Sequence, residues 1–417
     1  MENTELLLDS YVVEGNSLEE FYKVIDEMCE RTGLLEIRGS DLTFLSMYKG
    51  DNVQADDNSN DERTPFYYIT DLALNKFEKS NNRFEICLVN NSEFDPALIE
   101  ELRETTGLAL FIQKNDVSYK VMVGRASLKT FLQRADLGGF ASFNMNNIFR
   151  DVHLAASIFD KDEKMKLVYR NVDNSYKMFA AISASYPFVP QSILTDVMKD
   201  DDFCFKDYTL KHFKVNNFIA EIILQAPSPD AETGIYPGVM VVNSDVGQSS
   251  FAVRSVFITK DSYVINEKCE HLIKHDGNFT PSKIMKVFET VKRELESCNF
   301  IQEMAKLKEI PLTVDVPMPD NCMMLEAIAY KTEAANALIS DAISQVYGGT
   351  MPRIGVKKLE SELYGRLYGA MEYTYFDMAE LLINASAFFP NLDDSTNLKY
   401  RRLAYHVPYK ILGLTKK

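Results

Sequence analysis

A chain of 417 residues with 46 % hydrophobic and 25 % charged side chains has the composition of a soluble globular protein and the length for two or three domains. A formal charge of −16 excludes broad non-specific duplex binding unless charge is segregated. No apolar run reaches the roughly 18 residues needed to cross a bilayer, and the acidic start Met-Glu-Asn-Thr-Glu does not read as a signal peptide.

The charge is in fact segregated. Residues 1–65 carry 16 acidic and 5 basic side chains, whereas 398–417 carry six basic ones and no acidic one. An acidic head and a basic tail can meet within one chain or between neighbours in an assembly. Six scattered cysteines without a CxxC pair read as free thiols in a reducing cytoplasm.

In chain order, Ser17 followed by Glu20 is a capping signal, and Leu18, Phe21, Tyr22, Ile25 and Met28 form a helical stripe. Residues 51–64 are a polar, acidic loop. Its carboxylates superficially resemble a calcium loop, but Asp56 stands where such a loop needs glycine. Phe84–Val89 reads as a strand. Leu108–Gln113 and Ser118–Val123 read as a hairpin around Asn115-Asp116. Ser127 reads as the cap of a short helix ending near Gly138-Gly139.

From about residue 160 the texture turns β-rich. Lys166–Arg170 reads as a strand, Ala180–Ser185 as a turn, and Gln191–Lys199 as a short helix. Tyr208–Val215 and Phe218–Gln225 read as strands paired around Asn216-Asn217. Pro237–Phe257 then gives two β-rich runs around Asn243-Ser244-Asp245, a self-capped turn, with Gly247 at a bulge or positive φ. After Gly277 the texture is helical. Thr280-Pro281 is a start signal for a helix to about 308, with further helices over about 320–347 and 356–388. The predicted fold class is α+β. It has a mixed α/β N-terminal region (1–150), a β-rich middle domain (151–277) and a helical C-terminal region (278–417) of about three long helices.

Few constellations carry chemistry. Cys269, His271 and His275 are the metal candidates, with the two histidines expected on one helix face, but no fourth ligand stands at a zinc-like spacing. There is no phosphate-binding glycine loop and no GxSxG elbow. His153 and His212 stand alone. No catalytic residue and no cofactor are assigned. The tail interleaves cations with rings: Lys399, Tyr400, Arg401, Arg402, Tyr405, His406, Tyr409 and Lys410. That composition suits single-stranded nucleic acid, and equally an acidic protein surface. Leu363, Leu367, Met371 and Phe376 read as a core stripe.

The segment Gly238-Val-Met-Val-Val-Asn-Ser-Asp-Val-Gly-Gln-Ser-Ser-Phe-Ala-Val-Arg resembles a signature, G-V-x-I-x-N-S-E-V-G-x-G-A-L-x-V. That signature belongs to a family of phages, plasmids and bacterial genomes catalogued as domain of unknown function 932. Tyr364-Gly-Arg-Leu-Tyr-Gly-Ala-Met-Glu-Tyr is similar to its G-L-x-N-A-I-T stretch, and the likeness covers about 160–390. The chain departs at Ile258-Thr-Lys-Asp-Ser-Tyr, where the family has Val-Cys-x-Asn-Gly, and at Gly369-Ala370. The resemblance implies a mobile-element setting, in the cytoplasm of a bacterial host or in a virion, and brings no catalytic residues with it.

The function expected first is therefore a non-enzymatic phage or mobile-element accessory in nucleic-acid transactions, self-assembling or working with other phage proteins and away from membranes. A virion structural or capsid-assembly protein is the alternative. A metal-dependent enzyme is the second alternative.

Overall fold

The runs Val239–Val242 and Ala252–Ile258 lack polar alternation because their strands are covered on both faces. They lie in the computed structural model, which describes residues 3–47, 63–79, 85–90, 95–114, 116–142, 147–275, 279–311, 337, 340–348, 357, 374–385 and 394–414. The chain is α+β, with two sheets and a helical C-terminal region. The acidic loop at 51–62 and Leu363, Leu367 and Met371 lie outside the described residues, as does the 364–373 stretch.

One sheet has six antiparallel strands: β1 (Val12–Gly15), β10 (Thr209–Asn216), β11 (Ala220–Gln225), β12 (Tyr236–Asn243), β13 (Phe251–Ile258) and β14 (Tyr263–Ile273), in that spatial order. The other has eight, in the order β2 (Thr32–Ile37), β8 (Met165–Val172), β9 (Ser175–Ser183), β7 (Val117–Val123), β6 (Leu108–Lys114), β3 (Leu42–Met47), β4 (Arg63–Ile69) and β5 (Glu85–Asn90). All of its pairings are antiparallel except β7 with β9. The expected boundary near residue 150 thus falls inside the larger sheet, to which β8 and β9 belong. β1, from the N-terminal region, in turn edges the smaller sheet beside β10.

Helices cover the sheets where their apolar stripes require it. α1 (Leu18–Arg31) starts at Ser17, whose hydroxyl accepts from the Glu20 amide at 3.3 Å, and it buries Phe21, Val24, Ile25 and Met28. α2 (Asp71–Lys79), α4 (Arg125–Arg134) and α5 (Asn147–Lys161) follow in the chain, and the last two enclose a core with the larger sheet. α4 begins three residues earlier than expected. Gly124 is its cap, and Ser127 sits inside it and donates back to the Gly124 carbonyl at 2.7 Å. The expected turn at 180–185 is partly strand, since β9 runs to Ser183.

The other face of the larger sheet and the inner face of the smaller share one core. α1, α3 (Pro96–Glu104), α6 (Ser192–Met198), α7 (Pro281–Glu296) and α8 (Phe300–Lys308) contribute to it. Thr280 caps α7 as expected, accepting from the Lys283 amide at 3.3 Å. The single helix expected to 308 breaks at 297–299, a turn that brings Phe300 into a stack on Phe257 at 4.5 Å between ring centres. Of the later helices the described parts are 340–347 and α9 (Tyr375–Ile383), which Thr374 and Asp377 cap reciprocally. α10 (Asp394–Ala404) and α11 (Val407–Leu414) close the chain. Among the described residues no helix is long and apolar enough to cross a membrane.

Candidate functional site

The turn after β12 is built from the inside. Gly238 opens the strand because a Cβ there would meet the Leu224 carbonyl oxygen at 2.6 Å. Gly247 closes the turn with φ +74°. The sequence predicts that Asn243 and Asp245 cap the turn themselves, but both side chains are buried and turned elsewhere. The Asn243 amide donates to Gln191 Oε1 at 3.0 Å, and Asp245 takes both oxygens to Arg170, at 3.0 and 3.3 Å. The capping falls to Ser244, whose hydroxyl accepts from the Gln248 amide at 2.9 Å.

Arg170 distributes its remaining donors widely. It donates to the Asn217 carbonyl and side-chain oxygens, each at 2.9 Å, and to the Thr32 hydroxyl at 3.3 Å. Its guanidinium lies 4.5 Å from the centre of the Phe179 ring. Asn217 then donates to the Leu8 carbonyl at 2.6 Å. Burial pushes the Asp245 carboxyl up from the usual carboxylate range, and the Arg170 guanidinium opposes that shift. This network joins segments far apart in sequence and fixes the turn from below.

Above the turn lies a concavity of about 340 Å³ between α4, the end of β9 and residues 245–250, a size at the lower end of small-ligand sites. Arg134 and Lys274 are exposed on its rim, and neither forms an ion pair or a side-chain hydrogen bond among the described residues, although Arg134 stands within electrostatic range of Asp136. Tyr186, 52 % exposed, borders it too, with its carbonyl held by Lys166 at 3.2 Å. His275 also lines the cleft, edge-on to Phe279 at 5.0 Å. Burial pushes its ring below the ordinary histidine value, so at neutral pH it adds no charge. Among the described residues the lining holds one carboxylate, Asp245, which Arg170 already neutralises. The described lining is therefore cationic.

A larger concavity, about 970 Å³, lies beside α3 and α4, but its charge is mixed. Asp9, Glu100, Glu101 and Glu104 face Arg125, Lys129 and Arg150 there, and Arg150 is already paired with Asp151 at 2.8 Å. An anionic ligand gains less from such a lining.

The basic-aromatic tail forms α10 and α11 and is largely turned inward. Tyr400 and Tyr405 are buried, and Tyr405 extends the Phe257–Phe300 stack, its ring 5.4 Å from that of Phe300. Arg401 lies over the Tyr263 ring at 3.7 Å and donates to Ser262 and the Tyr263 carbonyl. Arg402 grips both oxygens of Glu270, at 2.8 and 2.9 Å. Tyr409 donates to Asn299 at 3.0 Å, and His406 meets Glu267 at 3.2 Å. Lys399 and Lys410 are exposed. The described part of the basic tail thus finds its acidic partners on β14.

Cys269, His271 and His275 are not on a helix. Val264 and Ile265 pair with β13, which makes 263–273 a strand. Cys269 and His271, two apart, share a face, while His275 lies beyond the strand end in the cationic cleft. The residue that joins the first two is Glu294 of α7, whose carboxylate is 2.8 Å from His271 Nε2. No local spacing could have pointed to it. His153 packs edge-on to Phe149, and His212 lies on β10.

Comparison of the chain with family models, with curated proteins and with solved structures finds no match in any of the three, so the likeness of residues 160–390 to domain of unknown function 932 rests on the quoted segments alone.

Proposed function

We propose that this chain is a non-enzymatic accessory in the nucleic-acid transactions of a phage or other mobile element, and that it takes single-stranded nucleic acid at the cleft above the 243–247 turn. One observation carries the reading. Two cations with no ion pair among the described residues, Arg134 and Lys274, and an exposed ring, Tyr186, border one concavity. Phosphates pair with the cations and a base stacks on the ring. The same composition in the tail supports the reading less, because Tyr400 and Tyr405 are buried and Arg402 is engaged with Glu270.

The test is fluorescence anisotropy with a labelled oligothymidylate over a salt series. Binding at low salt is expected. The Arg134→Ala/Lys274→Ala double variant loses affinity and flattens the log–log salt slope by about 1.4, or ~0.7 per lost contact. Tyr186→Ala costs roughly 1–3 kcal/mol. Lys399→Ala/Lys410→Ala leaves binding unchanged. No binding at low salt, or an unaltered slope in the double variant, rejects the reading.

A further inference from the structure

Between Arg254↔Glu270 and Val256↔Ile265 the pairing of β13 and β14 jumps, so residues 266–269 lie opposite Ser255 alone. Such a bulge re-aims side chains. Asn266 supports it by accepting from the Lys268 amide at 3.1 Å. Cys269 and His271 emerge from it toward α7. There the Cys269 sulfur, a His271 ring nitrogen and a Glu294 carboxylate oxygen all lie within 4.8 Å of one another.

We propose that Cys269, His271 and Glu294 form a mononuclear site for a divalent transition-metal ion of the zinc class, with a fourth position open to solvent. The donors are one sulfur, one imidazole nitrogen and one carboxylate oxygen, the mixed set that suits a borderline-soft ion. A thiolate and a carboxylate together neutralise its charge. Tetrahedral bonds of ordinary length put such donors about 3.4–3.6 Å apart. His271 and Glu294, now 2.8 Å apart, need only separate slightly, and the sulfur need only close in.

The surroundings favour that arrangement. Glu294 already holds His271 at 2.8 Å, and the Cys269 sulfur lies within 4.8 Å of both. Ser255 is fully buried and its hydroxyl has no hydrogen-bond partner among the described residues. It stands on β13 opposite the bulge that carries Cys269. Ser255 is thus an outer partner for a coordinated sulfur. Entry is from one side: the sulfur is buried, while His271 and Glu294 are 31 % and 38 % exposed. The scaffold is rigid, since Ile284, Phe288 and Val291 of α7 are core residues.

This inference does not rest on the cleft reading, because the donors and the experiment are different. The full chain, stripped with a chelator and kept reduced, is titrated with cobalt(II). One equivalent is expected to bind with a thiolate-to-cobalt charge-transfer band, and zinc displaces it. Cys269→Ser abolishes the band. His271→Ala and Glu294→Gln weaken binding by more than the roughly 10- to 100-fold that loss of an outer partner costs. Cys298→Ser keeps the band, since Cys298 sits instead against Asn266 and Tyr405. Circular dichroism confirms that each variant is folded. Glu294→Gln serves as the deciding variant should Cys269→Ser fail to fold. Absence of saturable binding, a band that survives Cys269→Ser, or unchanged affinity in Glu294→Gln overturns the proposal.

Discussion

Arg170 and Lys177 stand directly opposite one another on β8 and β9, and both side chains are buried. Like charges so placed destabilise a strand pair, and each buried cation costs several kcal/mol in desolvation. The fold answers with separate anions. Arg170 takes Asp245, while Lys177 lies 2.8 Å from Asp9 and 2.6 Å from Glu101. The Phe179 ring receives both cations, at 4.5 and 5.4 Å from its centre. The N-terminal turn, α3, the Asn216-Asn217 turn and the 243–247 turn are thereby tied to one strand pair.

Arg170→Met is expected to cost about 3–5 kcal/mol, because it strands a buried carboxylate. Arg170→Met/Asp245→Leu should recover most of that loss, since an apolar pair replaces the ion pair. Urea unfolding of the four proteins of the cycle measures the coupling. A double variant no more stable than Arg170→Met alone would mean that the fold depends on the polar network itself.

Lys177→Met leaves Asp9 and Glu101 together without their cation. A loss of about 3–5 kcal/mol is expected. Glu101 Oε1 also accepts from the Asp9 amide at 2.6 Å, so the N-terminal turn should loosen first. Hydrogen exchange of the 5–11 amides in the variant checks this against exchange across β12.

In the tail, rings and cations should behave differently. Tyr405→Ala opens the Phe257–Phe300–Tyr405 stack and is expected to cost about 3–5 kcal/mol. Arg402→Ala should cost no more than ~1 kcal/mol, because Glu270 keeps Arg254 at 2.6 Å. Equal losses in chemical denaturation would contradict this division.

His275 sets a pH dependence. Its folded-state value lies below the ordinary 6.5 because of burial, so unfolding takes up a proton wherever the free ring is charged and the buried one is not. Stability is then full above about pH 6.5 and declines as pH falls toward the folded value, by at most ~1.4 kcal/mol per pH unit. His275→Leu should flatten that limb, as urea unfolding at pH 5, 6, 7 and 8 would show. A decline of the same steepness in the variant would assign it to other groups.

Local signals in the sequence were sound where the physics is local. Ser17 and Thr280 cap helices, and Asp116 and Asn216-Asn217 turn hairpins, because a side chain or a positive φ decides such points within a few residues. The spacing of four between His271 and His275 predicts one helix face, and β13 overrides it by pairing with residues 270–273. Glu294, Tyr186, Arg134 and Lys274 carry no local signal, since each meets its neighbours from elements distant in the chain.

The turn at Asn243-Ser244-Asp245 draws the same line. By itself the sequence determined that two apolar strands meet there and that Gly247 permits the bend, since strand propensity and φ are properties of the local chain. Only the tertiary structure decided that Asn243 and Asp245 point inward. Arg170, 75 residues away, needs a carboxylate once it is buried, and a buried charge finds its partner through space rather than along the sequence.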